Sequence, residues 1–280
     1  PFTNYLDLTT QIPADTDPVI AQDTVDSMTA LAAYAEGRPS EEAVKTYARN
    51  AIRPFFARVG WDPKPNEPAN DSILRAALIN ALGELGDPEI IAGARSRFRA
   101  LARVPASTRD AVIHVFAYNA TPQDYDALTA QARAANDFVE QRRLWRAVAS
   151  AKNPQLAQRS LALMLQDTVP HQLRPQVLLG VAVVQPQMAW DFLVAHRAQL
   201  EPTFEPLTRF EYPATIASRS SNPAMAAALE QYAHGFPAGA QTSIRAATAS
   251  IRIKAATIHD RMPAVEAWIA RRNAAAAPAP

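Results

Sequence analysis

The clearest hydrophobic pattern lies in residues 153–197, where apolar side chains recur at helical spacing and do not alternate as in a strand. Asn153-Pro154 opens the first helix of this stretch, with a side-chain acceptor at the N-cap and proline at the first helical position. A second helix is predicted over about 171–184, and a third begins at Gln185-Pro186. The pattern therefore indicates a unit of helix, short turn and helix.

The same signal for a helix start recurs along the chain, as pairs of a residue followed directly by proline. Their prolines are separated by 34, 32, 32 and 37 residues. A period in the low thirties is typical of helical-hairpin repeats, in which each pair of helices buries its apolar face against its neighbours. We therefore predict an all-α protein, an α-solenoid of paired antiparallel helices. The pairs are Asp87-Pro88, Thr121-Pro122, Asn153-Pro154, Gln185-Pro186 and Asn222-Pro223.

The solenoid is predicted to occupy residues 1–273 as a single domain, followed by a disordered Ala/Pro tail at 274–280. Two prolines are expected to disturb long helices, because proline lacks the N–H that the helix ladder needs. Pro54 is predicted to kink or break the helix that begins near Glu41, and Pro263 to divide the last helix. The proline-rich stretch 61–68 is predicted to be the longest loop.

Composition excludes several kinds of partner and chemistry. The net charge of +1 and the absence of basic runs argue against a broad surface for nucleic acid or acidic membranes. The chain has no cysteine, so disulfide and thiolate chemistry are impossible. No apolar run approaches the roughly 18 residues of a membrane span.

The origin of the chain is indicated by its basic residues, which are 24 Arg and only 4 Lys in an alanine-rich sequence. This bias is typical of a GC-rich bacterial genome. The chain opens on Pro1 without a signal peptide, so we expect a processed chain or a fragment of a longer one. The compartment, cytoplasmic or periplasmic, stays open.

A search for chemistry yields no catalytic, cofactor-binding or metal-binding residue. The five histidines do not pair at i, i+4, and the motifs H-E-x-x-H, G-x-S-x-G and G-x-x-x-x-G-K-[ST] are absent. His114 has apolar neighbours and is interpreted as a core or half-buried structural histidine. Arg245 and Arg252 lie seven residues apart, on one face of the last predicted helix. A solvated face is the ordinary interpretation of this pair, and a carboxylate-binding pair on a concave surface is the alternative.

Several short patterns occur in order along nearly the whole chain. Trp190-Asp191-Phe192 resembles an "aWdFv" signature, Gly60-Trp61-Asp62 and Gly86-Asp87-Pro88 resemble an earlier "lGw…lGd" segment, and Trp268-Ile269 resembles a closing "WL" helix. These patterns are those of the C-terminal domain of gluzincin zinc aminopeptidases, the family of aminopeptidase N, puromycin-sensitive aminopeptidase and the endoplasmic-reticulum aminopeptidases. Ile253 departs from the family pattern, which often has tryptophan there.

The resemblance implies a HEAT-like α-α superhelix shaped as a bowl. In that family the domain lies over a separate catalytic domain, encloses a cavity and contacts the distal part of the peptide substrate. Zinc and the catalytic glutamate belong to that other domain, so the expected partners are the catalytic domain of the same polypeptide and a peptide. Arg245 and Arg252 are then the candidate peptide contacts.

Two other functions stay open. A free-standing helical-repeat scaffold could bind a partner protein on its concave face. An all-α enzyme in its own right has less support, because no nucleophile–base pair or metal set is present.

Overall fold

The computed structural model describes residues 2–206 and 208–276, and over those residues its regular elements are α-helices and short 3-10 turns, without a β-strand. The all-α prediction is confirmed. None of the described helices is long and apolar enough to cross a lipid bilayer. The α-helices are α1 (Phe2–Thr9), α2 (Pro18–Tyr34), α3 (Glu41–Val59), α4 (Ala69–Glu84), α5 (Pro88–Phe98), α6 (Ala106–Tyr118), α7 (Pro122–Ala134), α8 (Phe138–Val148), α9 (Pro154–Met164), α10 (Arg174–Val184), α11 (Pro186–Ala195), α12 (Arg197–Leu200), α13 (Tyr212–Ala217), α14 (Pro223–Tyr232) and α15 (Ala238–Ala276).

All five predicted residue–proline pairs open an α-helix, with the proline at the first helical position. The side chains of Asp87, Asn153 and Asn222 accept hydrogen bonds from backbone N–H groups of the first turn. Thr121 does so within a reciprocal capping box, whereas Gln185 makes no side-chain cap. The helix starts follow from local chemistry. Proline lacks the backbone N–H that would have no helical partner at the first position, and the capping side chain accepts hydrogen bonds from the N–H groups that follow.

The prediction that Pro263 divides the last helix is wrong, since α15 is continuous from Ala238 to Ala276. Residues on both sides of this proline, Met262 and Val265, are buried in the core, and this packing holds the second half of the helix in line. α3 likewise continues through Pro54. α15 includes residues 274–276 of the predicted disordered tail, and 277–280 lie outside the described residues.

The described chain divides into two compact units. The first contains the residues up to Phe116 together with those from Thr257 onward, and the second contains Ala117–Ala256. The single domain over 1–273 and the bowl shape stay predictions.

In the first unit, α2, α3 and α4 pack against one another. Tyr47 on α3 donates its hydroxyl to the carbonyl of Leu6, with an oxygen–oxygen distance of 2.8 Å, and its ring packs edge-on against Trp268 of α15 at 5.1 Å. The Trp268 indole N–H donates to Asp7 Oδ1 at 3.1 Å. α1 and the C-terminal part of α15 are therefore both held against α3.

The predicted loop at 61–68 is confirmed, and a buried arginine holds it. The Arg75 side chain is fully buried and donates to the carbonyl oxygens of Val59 and Gly60, each 3.2 Å away, and to Glu67 Oε1 at 2.9 Å. The hydrogen bond from Arg75, followed by one from the backbone N–H of Lys64 to Glu67 Oε2 at 2.9 Å, lowers the pKa of Glu67 to about 2. The loop is thus closed by a charged pair at its base.

In the second unit, packing joins helices that are near in sequence. α7 packs on α8, and α10 packs on α8, α9, α11 and α13. Gly180 permits the approach of α10 to the end of α8, because a Cβ there would lie 2.7 Å from the Cβ of Ala149. Packing between successive hairpins is the arrangement expected of helical repeats.

Candidate peptide-contact site

The two arginines predicted to contact peptide lie on the N-terminal part of α15, within the second unit. Both side chains are exposed, and their separation of seven residues places them about 10 Å apart along the helix axis. They point to one face of the helix, as predicted, because seven residues are nearly two whole turns.

Their local partners differ. The Arg252 guanidinium donates to Glu230 Oε1 of α14 at 2.8 Å, so its charge is compensated within the chain. Arg245 donates to the Thr242 hydroxyl at 3.3 Å and has no carboxylate partner among the described residues. Of the pair, Arg245 is therefore the better available anchor for a ligand carboxylate.

A pocket of about 240 Å³ lies between the segment that follows α11 and the end of α14, also within the second unit. Four aromatic rings, one proline and three charged side chains surround it. We call it the aromatic pocket, and its lining residues are Arg197, Glu201, Phe204, Arg209, Phe210, Pro213, Tyr232 and Phe236.

The rings of the aromatic pocket pack mainly edge to face. Phe236 contacts Phe210 with ring centroids 4.9 Å apart and Tyr232 at 5.9 Å, and Phe204 stacks on Tyr212 at 4.3 Å. Burial raises the pKa of Tyr232, partly offset by the nearby Arg197 guanidinium, so its hydroxyl stays neutral at physiological pH. The ring contacts therefore hold the walls in place, and the lining combines these rings with the polar atoms of the charged side chains.

The charged side chains of the aromatic pocket are unequally paired. Arg197 Nε donates to Glu201 Oε1 at 2.6 Å, and this bond raises the pKa of the arginine. Arg209 is exposed, lies 4.7 Å from the ring centre of Phe210, and has no carboxylate partner in the described part of the chain. Two arginines and one glutamate leave the pocket with an excess positive charge.

Sequence reasoning missed the aromatic pocket. It predicted short, irregular helices over 204–218, where the described residues form turns and one short helix, α13, and it did not single out the aromatic residues there. The available signal was Phe204, Phe210 and Tyr212 clustered around two prolines. The remaining rings come from the end of α14 and the turn after it, more than a dozen residues further on, and spacing alone does not bring them together.

The histidines do not converge. His114 is half-buried and lies 2.7 Å from Glu84 Oε1, as expected for a structural histidine. Within residues 2–206 and 208–276, no group of three or more His, Asp or Glu side chains could hold a metal ion. The residues of this part of the chain therefore do not fit a zinc site.

Residues 1–253 match the family described as "ERAP1-like C-terminal domain". The chain belongs to this family. Among its relatives, aminopeptidase M1-A of Oryza sativa subsp. japonica is 27% identical over 170 residues, which are 58% of this chain and 19% of that protein. Aminopeptidase M1 of Arabidopsis thaliana is 29% identical over 145 residues, which are 49% of this chain and 16% of that protein. The chain thus spans less than a fifth of the length of these relatives in the aligned regions.

The ERAP1-like match places the candidate residues within the family's boundaries. Arg245, Arg252 and the whole aromatic pocket lie inside residues 1–253. The match ends within α15, so the part of that helix which packs in the first unit lies beyond it. The resemblance identified from short sequence patterns is confirmed by this match.

Proposed function

We propose that this chain is the non-catalytic C-terminal domain of a bacterial zinc metallo-aminopeptidase. It encloses the active-site cavity of that enzyme and contacts the distal part of the peptide substrate. The observation that carries the proposal is the family match over residues 1–253, together with relatives that are named aminopeptidases and are far longer than the matched segment. The bacterial origin rests on the excess of Arg over Lys, since the named relatives are plant proteins.

An enclosing domain would contribute by limiting access to the cavity and by positioning the peptide substrate. A closed cavity admits flexible peptides and excludes folded proteins, and contacts far from the scissile bond hold the N-terminus where it reacts. The zinc, held by the proposed catalytic domain, would supply a polarised carbonyl and an activated water. The residues of this chain would bind and orient the peptide.

The spacing of Arg245 and Arg252 suits an extended peptide. Their separation of about 10 Å along the helix equals about three residues of extended chain. Peptide carboxylates spaced by three residues could therefore meet both guanidinium groups. Because Arg252 must first exchange its bond to Glu230, we expect Arg245 to contribute the larger part of the binding.

The test is charge reversal in the complete enzyme, with Arg245→Glu and Arg252→Glu together. We expect KM for peptides with distal acidic residues to rise about tenfold, since two exposed charge pairs become repulsive and each is worth roughly 0.5–1 kcal/mol. Turnover of a dipeptide substrate, which is too short to reach this face, should not change. Arg103→Glu with Arg133→Glu alters two other exposed arginines and serves as the matched control. An unchanged KM and chain-length preference would refute the role of this pair.

The reading frame upstream of Pro1 in the source gene separates this proposal from the scaffold alternative. An in-frame H-E-x-x-H followed by a second glutamate would support the aminopeptidase. A start codon immediately upstream, without that motif, would leave a free-standing helical-repeat scaffold, whose partner would then be sought by pull-down. The same sequence would identify the source organism.

A further inference from the structure

Lys254 on α15 differs from the other three lysines of the chain in the charges that surround it. We propose that it is a modification site, at which acyl phosphates acylate the lysine amine. These reagents are small molecules in which an acyl group is joined to a doubly negative phosphate. The proposal goes beyond the function proposed above and does not depend on a catalytic domain, because the reacting groups belong to this chain.

The other three lysines are held by groups that favour the ammonium form. Lys45 donates a hydrogen bond to the Glu41 carboxylate, one turn earlier on α3. The charge of Lys64 interacts with the carboxylate of Glu67, and Lys152 lies 5.5 Å from the centre of a tyrosine ring. A carboxylate or a ring face stabilises the cation, and it therefore lowers the fraction of neutral amine that can attack an electrophile.

Lys254 has the opposite surroundings. Its Nζ donates to the carbonyl oxygen of Ser218, the residue that follows α13, and it has no carboxylate partner among the described residues. The adjacent Arg219 is exposed and likewise forms no ion pair within residues 2–206 and 208–276. Partial burial of the lysine, and then the charge of Arg219, lower the pKa of Lys254. The neutral, nucleophilic amine is therefore populated more at this lysine.

The bond to Ser218 also fixes the position of the amine. It ties α15 to the end of α13, and both residues lie in the second unit. The lysine is half-buried and not enclosed, so a reagent of a few atoms approaches it from solvent. An acylated lysine keeps one N–H that can donate to the same carbonyl, so the modification removes the positive charge without removing the hydrogen bond.

Arg219 selects among acylating reagents. Two neighbouring cations without carboxylate partners in the described part of the chain attract a doubly negative phosphate, and a guanidinium can hold phosphate oxygens through two parallel hydrogen bonds. A neutral acyl ester gains nothing from these charges. The phosphate therefore brings the acyl carbon close to the Lys254 nitrogen, and Arg219 stabilises the negative charge of the leaving group.

The reaction balances without a further co-reactant. The Lys254 ammonium gives one proton to water, and the lone pair of the nitrogen attacks the acyl carbon. The carbon–oxygen bond to phosphate then breaks, and the phosphate leaves with the bonding electrons. The phosphate takes up a second proton from the nitrogen, so the products are a neutral amide, hydrogen phosphate and one free proton.

The experiment measures the acetylation of each lysine in the full 280-residue chain by acetyl phosphate. Cleavage after arginine places the four lysines in four different peptides, so mass spectrometry gives four initial rates from one sample. Near neutral pH we expect Lys254 to react about three- to fivefold faster than each of the other lysines, the ratio that one or two weak charge contacts produce. This lead should shrink as the pH rises toward about 10, where the ordinary lysines lose their protons too.

Two variants separate the charge of Arg219 from simple exposure of the lysine. Arg219→Gln should lower the rate of Lys254 with acetyl phosphate by about three- to fivefold. The rate of Lys254 with the neutral N-hydroxysuccinimide ester of acetic acid should fall less, because that reagent loses only the effect of Arg219 on the amine. Arg133→Gln, at an exposed arginine on α7, should change neither rate.

The outcomes decide the proposal directly. A faster reaction of acetyl phosphate at any of the other lysines would overturn it. An unchanged rate of Lys254 in the Arg219→Gln variant, or equal losses with the two reagents, would also overturn it. A lead of Lys254 that does not change with pH would show that access to the side chain, and not the neutral amine, decides the reactivity, and the proposal would again be wrong.

Discussion

The hydroxyl of Ser160 on α9 joins three helices of the second unit. It donates to the carbonyl of Val148, the last residue of α8, at 2.9 Å, and it lies 2.9 Å from the Tyr125 hydroxyl of α7. The Leu156 carbonyl of the same helix also lies 3.2 Å from Ser160 Oγ, and with the one hydroxyl hydrogen of the serine directed to a carbonyl, the Tyr125 hydroxyl donates to Ser160. Both side chains are fully buried, so water cannot replace a hydrogen bond that is lost when either side chain is changed.

The magnitudes follow from that arrangement. Ser160→Ala leaves the Tyr125 hydroxyl unsatisfied and takes a donor from a carbonyl at the end of α8, which should cost about 2–3 kcal/mol of unfolding free energy. Tyr125→Phe leaves Ser160 bonded to Val148 and should cost about 1 kcal/mol. The double variant should cost only about 2 kcal/mol, because the unsatisfied tyrosine is then absent and the two changes are not additive.

Native-state hydrogen exchange read by mass spectrometry gives the opening free energies of α7 and α9 separately. Ser150→Ala is the matched control, because this serine also donates to a carbonyl near the end of α8, that of Ala147 at 2.8 Å, but from a half-exposed position. We expect it to cost no more than about 0.5 kcal/mol. If the Tyr125 and Ser160 changes add, or if Ser160→Ala resembles Ser150→Ala, the buried hydrogen bond between Tyr125 and Ser160 does not contribute as assigned.

Two further predictions concern the first unit. Glu67 has a folded pKa of about 2, below its usual 4.5, so its contribution to stability is fully present above about pH 4.5 and is lost as the pH falls toward 2. Glu67→Gln should lower the urea midpoint of unfolding at pH 7. The difference in midpoint between this variant and the native chain should shrink between pH 4.5 and 2, and a constant difference would exclude a link between Glu67 protonation and stability. Trp268→Phe removes the bond to Asp7 and should speed hydrogen exchange in α1, with a cost of about 1–2 kcal/mol, and unchanged exchange there would contradict it.

Helix starts were the most predictable feature of the fold, because their signals are local. In an Asp-Pro, Thr-Pro or Asn-Pro pair, the first residue caps the helix and the proline fixes the φ angle of the first helical position. All the pairs of this kind begin helices. Gln185 shows that the proline suffices, since this helix begins there without a side-chain cap. The long loop was equally local, because its prolines and the absence of apolar spacing exclude a helix.

Interactions between distant residues were not predictable in the same way. Pro263 carries a strong local signal for a break, but Trp268 and Glu266, which follow it, bond to Asp7 and Arg38 from the other end of the chain. Such contacts outweigh the cost of one missing helical hydrogen bond. A sequence pattern reports the local preference and not the tertiary contacts that oppose it.

The arginines show the same limit at the candidate sites. Spacing placed Arg245 and Arg252 on one face, and this was right, but spacing did not reveal that Glu230 neutralises only the second of them. Arg209 had no sequence signal, yet its guanidinium lies over the Phe210 ring and has no carboxylate partner among the described residues. A carboxylate that binds Arg209 displaces no internal partner, whereas one that binds Arg252 must replace Glu230. On α15, a carboxylate should therefore bind Arg245 more readily than Arg252, because only Arg252 is already paired with an internal carboxylate.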